Sequence, residues 1–389
     1  MISRIALAVA AGMLVGGAVA PAMAADLGGG CCGDLEERVA ELEATVARKG
    51  NRVVSLQIYG DITQGILFFD NGKESDAFVV DNDALGSVLG FKGEAQIKPG
   101  LKAGYKLEMQ VQAGGSSSSA VDEGPNGDDK ADNFSIRHNF LYIESERWGR
   151  ISLGQTSTAS DGAAEVQIAN TLAVGSPDQG TALHPGGFVL TGPTLGDYAS
   201  DFDGGRNDII RYDTATFYGF TASASWGDNN YWDVALRFAK EFNSVKVAAA
   251  IAYADDQTSE LNSGHFTQLI GSVTAMHVPT GLFAMFAAGE RDFDNVDVTG
   301  KFWFVQAGIE RKWLPYGTTT IYGEYGNYDS ITAATDGAET DMWGLGVVQH
   351  IDSAAMDVYA QARFWSVDDA ARPDVDDLKT LMVGSRISF

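Results

Sequence analysis

Leu101-Lys102-Ala103-Gly104-Tyr105-Lys106-Leu107-Glu108-Met109-Gln110-Val111-Gln112-Ala113 is the stretch that decides the fold. Its odd positions are apolar and its even positions, Gly104 apart, are Lys, Glu or Gln. That is the period of two of a β-strand with one oily and one wet face. The run is about as long as the ~9–11 residues with which a tilted strand crosses a bilayer. Trp232 to Phe242 repeats it, with Trp232, Val234, Leu236, Phe238 and Phe242 alternating with Asp233, Arg237 and Glu241. A soluble sandwich alternates as well. Aromatics bunched at strand ends and a strict alternation of tight turns with long loops favour a membrane barrel.

From Val53 to Phe389 the same phrase recurs about sixteen times, the reading of a closed antiparallel barrel with an even strand number. The expected strands are 53–69, 87–97, 101–113, 134–145, 148–155, 208–214, 216–227, 231–242, 244–254, 265–278, 281–290, 300–313, 317–328, 341–351, 355–366 and 379–389. Lys98-Pro99-Gly100, Arg147-Trp148-Gly149, Asn243-Ser244, Pro279-Thr280-Gly281 and Pro315-Tyr316-Gly317 mark tight turns at every second connection. The remaining connections are longer, usually rich in Gly, Asp and Ser, and face outward if both chain ends are periplasmic. The longest, Thr156 to Asn207, carries apolar stretches at Val166–Val174 and Phe188–Leu195. A loop of that length is usually functional, and a barrel of this size has a lumen wide enough to receive it.

Met1 to Ala24 reads as a secretory signal: one early Arg, an apolar run from Ile5 to Ala20, and Ala22-Met23-Ala24 as cleavage site. Residues 25–51 form a periplasmic segment and 52–389 the barrel. Within the segment, Leu35, Val39, Leu42 and Val46 form about two heptads of coiled-coil seam, which predicts a short helix over Asp34 to Lys49. So short a helix needs partners. Identical neighbours in an oligomer are the simplest source; the alternative is a tether that docks on its own barrel or frays, and a further reading has the helix tie the barrel to peptidoglycan or a partner. Cys31-Cys32 is the only cysteine pair. Adjacent cysteines bridge each other only with strain, which leaves pairing between subunits or free thiols.

The formal charge is −25, from 52 acids against 27 Lys and Arg. The excess gathers in loops, as at Asp122, Glu123, Asp128, Asp129 and Asp132, or Asp368, Asp369, Asp374, Asp376 and Asp377. It excludes nucleic acid as a partner, draws cations, and could meet lipopolysaccharide through divalent ions. No catalytic residues are expected: His138, His184, His265, His277 and His350 are scattered and no Gly-x-Ser-x-Gly occurs. Neither these nor the cysteines have metal-site spacing, and no cofactor is implied.

Gly149-Arg150-Ile151-Ser152-Leu153-Gly154-Gln155, then Arg206-Asn207-Asp208-Ile209-Ile210-Arg211-Tyr212-Asp213-Thr214 and Phe217-Tyr218-Gly219-Phe220, resemble the strands on either side of the constriction loop of Gram-negative general diffusion porins. The likeness is greatest to the alphaproteobacterial branch, which has a short helix before its first strand. Ala215 stands where that family often has Pro. Leu381 to Phe389, alternating and ending in Phe, is similar to the signal read by the barrel-assembly machinery. The resemblance implies a homotrimer of sixteen-stranded barrels in the outer membrane, an inward-folded third loop, and loop acids opposed by a basic wall. The acids expected there are Asp161, Glu165 and Asp178. Alternation offers Lys92, Lys106, Arg137, Arg211 and Arg386 for the wall, with Lys102, Arg237 and Arg363 also on the lumen phase. The expected function is passive diffusion of ions and small hydrophilic solutes with mild cation preference. A sugar-selective channel, for which Tyr59, Tyr322, Tyr359 and Trp365 are lumen-phase aromatics, and a structural tether are the alternatives.

Overall fold

The computed structural model describes residues 46–49, 52–82, 84–112, 133–172, 174–177, 183, 185–186, 192–227, 230–257, 265–294 and 296–389. The signal sequence, Cys31-Cys32, the expected helix up to Thr45, and Asp178 lie outside these residues. The end of that helix is corrected: Val46–Lys49 is a strand, β1, paired antiparallel with β2 (Arg52–Ser55).

The barrel follows as β3 (Gln57–Asp70), β4 (Ser75–Val80), β5 (Val88–Lys98), β6 (Leu101–Gln112), β7 (Asn133–Ser145), β8 (Gly149–Ser157), β9 (Arg206–Asp213) and β10 (Phe220–Gly227). It continues as β11 (Trp232–Phe242), β12 (Val245–Asp256), β13 (Phe266–His277), β14 (Leu282–Phe293), β15 (Val298–Leu314), β16 (Gly317–Asp329), β17 (Glu339–Ile351), β18 (Met356–Asp368) and β19 (Leu378–Ser388). Each pairs antiparallel with its neighbours, and β19 returns to β3 to close the ring. β4 pairs with the upper part of β3 and β5 with the lower part. They share one position in the wall, so β3 to β19 make sixteen staves. Closure leaves no sheet edge in the bilayer, where an unpaired backbone group would cost several kcal/mol.

Alternation sorts the two faces as the sequence predicts. Along β8 and β9, Ile151, Leu153 and Ile210 face outward and are exposed, while Ser152 and Ile209 face inward and are buried. Trp148, Phe217, Tyr218, Trp313 and Tyr316 stand exposed at the short-turn end. Toward the other end Trp226, Trp232, Trp303 and Trp343 do the same. These are the two aromatic girdles that bracket an apolar band.

The expected strands are all present; among the described barrel strands, β4 is the one the sequence did not reveal. Residues 70–86 read as one long loop, but the chain turns at 71–74, pairs back on β3 as β4, and only then leaves the wall.

Candidate functional site: the constriction

Residues 158–205 link β8 to β9, and the described ones run inside the barrel, because their partners are inward-facing residues of staves from β9 round to β18. The first turn is gripped by its backbone. Arg211 Nη1 donates to the carbonyls of Ser157 (2.9 Å) and Thr158 (2.7 Å). Arg237 Nη2 donates to those of Ala159 (2.7 Å) and Asp161 (2.9 Å). Asp233 accepts the amides of Ala159 (3.1 Å) and Ser160 (2.6 Å), and the hydroxyls of Ser160 (2.7 Å), Tyr231 (2.9 Å) and Ser225. Charge-assisted bonds of this kind are the stronger class.

Farther along, Ser272 Oγ accepts the Val166 amide (3.0 Å) and donates to the Ala163 carbonyl (2.7 Å). Glu310 accepts the Asn170 amide (2.7 Å), and Asp357 accepts from Asn170 Nδ2 (2.8 Å). Arg363, held by Glu324 at 2.7 Å, donates to the Ser176 carbonyl (2.8 Å). Tyr328 OH donates to the Pro177 carbonyl (3.0 Å). Ala163, Ala164, Val174, Leu195 and Phe202 are buried against the inner wall. A one-turn helix, α1 (Leu195–Tyr198), sits by the long-loop rim, where Tyr198 OH donates to Asp369 (2.8 Å).

Three acids gather at the elbow of this loop. Asp203 accepts the amides of Gly162 and Ala164 (3.0 Å to the latter). Burial, with the charges of Glu165 and Asp161 beside it, pushes the Asp203 carboxyl well above the usual range. Glu165 accepts from Ser176 Oγ. Asp161 lies within electrostatic reach of Arg137 and Arg237.

The opposing wall belongs to β3, β5, β6 and β7. Lys92 and Lys106 are cross-strand partners, and their ammonium groups lie 5.0 Å and 5.7 Å from the centre of the Tyr59 ring. Glu108 stands among the cations, 2.9 Å from Lys106 Nζ and 3.3 Å from Arg137 Nε, and it accepts from Tyr59 OH (2.7 Å). Arg137 is placed by a β-bulge. Glu108 pairs with His138 and Met109 with Ile136, so Arg137 is the extra residue and turns inward together with His138. Arg206, at the end of the loop, is within electrostatic reach of Arg137 and Lys106.

The described residues thus form a sixteen-stave barrel whose lumen is narrowed by an inserted loop. The sequence model of the Gram-negative porins matches residues 6–370. The chain belongs to that family. This porin is similar in fold to the anion-selective porin of Comamonas acidovorans, with a TM-score of 0.61 at 16% identity over 86% of this chain and 100% of that one. OmpF of Salmonella typhi, in complex with daunomycin, gives 0.57 at 15% over 88% and 100%. OmpT of Vibrio cholerae lacking loop L8 gives 0.58 at 15% over 86% and 99%. Comparison with curated protein sequences gives no match. The porin is an outer-membrane channel.

Of the expected site residues, the structure brings Asp161 and Glu165 together on the loop and Lys92, Lys106 and Arg137 together on the wall. Arg211 is spent on loop carbonyls and on Asp213 at 2.7 Å. Arg386 bonds Asp61 (3.2 Å) and lies 3.9 Å from Asp357, the carboxylate that Asn170 of the loop also reaches. Phe389 closes the ring with β3. Lys102 pairs with Glu94 (3.0 Å) lower in the barrel. Of the lumen-phase aromatics, Tyr322, Tyr359 and Trp365 are buried, so they line no open track. Reasoning from sequence missed Asp203, which lies two residues from the loop's end, and Glu108, whose lumen phase was visible but whose place among the cations was not. It also missed Asp233, the loop's principal acceptor.

Proposed function

We propose that this porin is a passive diffusion channel for ions and small hydrophilic solutes with a mild preference for cations. The observation that carries the reading is Glu108. It stands inside the basic wall and offsets part of its charge, while Asp161, Glu165 and Asp203 gather on the loop. A low-dielectric wall strengthens such fixed charges, and the chain's net charge of −25 enriches cations at the mouths. The homotrimer is supported by the outward faces of β5 to β8, which carry no charged residue among those described, whereas β14, β16 and β17 present Glu290, Asp329, Glu339 and Asp341 at the long-loop end. A wall facing another copy meets no headgroups and has no use for charge there. Acids on the lipid side would meet lipopolysaccharide through divalent ions. Assembly machinery reading Phe389 and a peptidoglycan tether through residues 25–51 complete the proposed partners.

The test is the reversal potential in a planar bilayer under a salt gradient, for the parent and for Asp161→Asn/Glu165→Gln. Weak cation selectivity that falls in the double variant supports the reading. Anion selectivity in the parent overturns it.

A further inference from the structure

The wall opens between β4 and β5. Gly65 pairs with Val80 and Asp61 with Val88, so Ile62, Thr63 and Gln64 of β3 face the seven residues Asp81 to Ser87. Ser87 mends the ladder at the break, its Oγ accepting the Thr63 amide (3.1 Å) and its amide donating to Asp81 (3.1 Å). The surplus chain turns into the lumen. Asn82 Nδ2 donates to the hydroxyl of Tyr359 (3.0 Å), an inward residue of β18, and a Cβ placed on Gly86 would lie 3.2 Å from the inward Gln110 side chain.

The turn is self-braced. The Asn82 carbonyl accepts the Gly86 amide (2.8 Å), Asn82 Oδ1 accepts the Ala84 amide (3.1 Å), and Gly86 has φ +66°, the left-handed region that suits glycine. Leu85 packs against the buried apolar cluster and Ala84 is left exposed. The position around the ring matters. The long loop reaches β18 at Asp357, through Asn170, and the turn takes over on the same strand at Tyr359. Gln110, which the turn abuts, accepts from Arg137 of the basic wall at 2.8 Å. Long loop, inward turn and basic wall therefore follow one another around the lumen.

We propose that this turn, through Asn82, Ala84 and Gly86, is a second, fixed constriction element that fills the arc between the long loop and the basic wall and helps set the exclusion limit. The inference deepens the diffusion-channel reading and rests on it. Ala84→Cys in a Cys31→Ser/Cys32→Ser background tests it, with single-channel conductance recorded before and after a benzyl, an ethylammonium or an ethylsulfonate methanethiosulfonate. The benzyl label is expected to cut conductance to roughly half, as a bulky group does at the narrowest section of a pore. The two charged labels are expected to move the reversal potential in opposite senses. Thr216→Cys in the short turns is the control that changes neither. Labelling proven by mass spectrometry without a change in conductance overturns the proposal, as does a folded protein whose Ala84→Cys thiol refuses the reagents. Ala84→Trp, read by liposome swelling, is expected to slow large sugars more than small ones, and equal rates to the parent count against the turn. A parent that conducts normally isolates these failures from that of the diffusion reading, which a parent passing no current would overturn together with the inference.

Discussion

Phe389 and Gly60 close the barrel with a reciprocal pair of backbone bonds, each amide donating to the other's carbonyl at 3.0 Å. The Phe389 ring lies over Gly60, where an added Cβ would come within 2.5 Å of it. The pair extends the β3–β19 ladder, which runs from Lys379↔Asp70 to Ser388↔Asp61, by one more step. Gly60→Val forces the ring aside and also drives the new side chain against the Val88 carbonyl, 2.6 Å from the same Cβ; overpacking of this kind costs about 1–3 kcal/mol. The folded form should lose its resistance to unfolding in detergent at a lower temperature than the parent, read by gel mobility of heated and unheated samples. Phe389→Ala, which keeps both backbone bonds and removes the ring, should be milder once folded. Equal losses in the two variants would show that the steric relationship is not what matters.

Asp233 collects two amides and three hydroxyls, so its removal strands several buried donors at once. Asp233→Ala should loosen the first turn of the constriction loop by about 2–5 kcal/mol, the range for breaking a buried charged network. The barrel itself should still form, since its ladders are untouched. The expected readout is a noisier, larger single-channel conductance and faster proteolysis near residues 158–166. A quiet channel of parental conductance would mean that Arg211 and Arg237 hold the turn unaided.

The contrast between what sequence reveals and what it hides follows from this anchoring. Leu101 to Ala113 announces its strand because every second residue must face the apolar surroundings outside the barrel, and the same constraint exposes all sixteen staves. The loop obeys no such period. Its grip runs from Arg211, Arg237 and Asp233 to backbone carbonyls and amides of residues 157–161, groups every residue carries and no sequence pattern records. Alternation correctly put Lys92 and Lys106 on the lumen side. It reached Arg137 on the right side too, although a bulge had turned two consecutive residues, Arg137 and His138, inward. β4 escaped notice because Ser75 to Val80 is short and follows the polar turn Asn71-Gly72-Lys73-Glu74, so it read as more loop. Val46–Lys49 fitted a heptad only by the spacing of four apolar residues, and pairing with β2 overrode it.

Asp203 is expected to make the channel sensitive to acid. Its carboxyl titrates well above the ordinary carboxylate range of about 4, so it is the neutral form that gains as pH falls, and it gains early. Lowering pH toward that range should remove a negative charge from the elbow and reduce cation preference before ordinary carboxylates protonate. Reversal potentials measured across pH should show this early step in the parent. Asp203→Asn should abolish it and show the reduced preference at every pH. A step that persists in Asp203→Asn belongs to another group.

Glu108→Gln tests the balance of the wall most directly. The substitution preserves the side-chain shape and an acceptor for Tyr59 while removing the charge that Lys106 and Arg137 share. Those two cations then act on the lumen uncompensated, beside Lys92, and should draw anions. The selectivity is expected to move toward anions, with the largest shift at low salt because screening shortens the reach of fixed charges from about 30 Å at 0.01 M to about 3 Å at 1 M. Conductance in concentrated salt should stay within about a factor of two of the parent, since the bore is unchanged. If selectivity does not move, the cations of this wall are not at the narrowest point, and the preference of the channel is set by its acidic mouths alone.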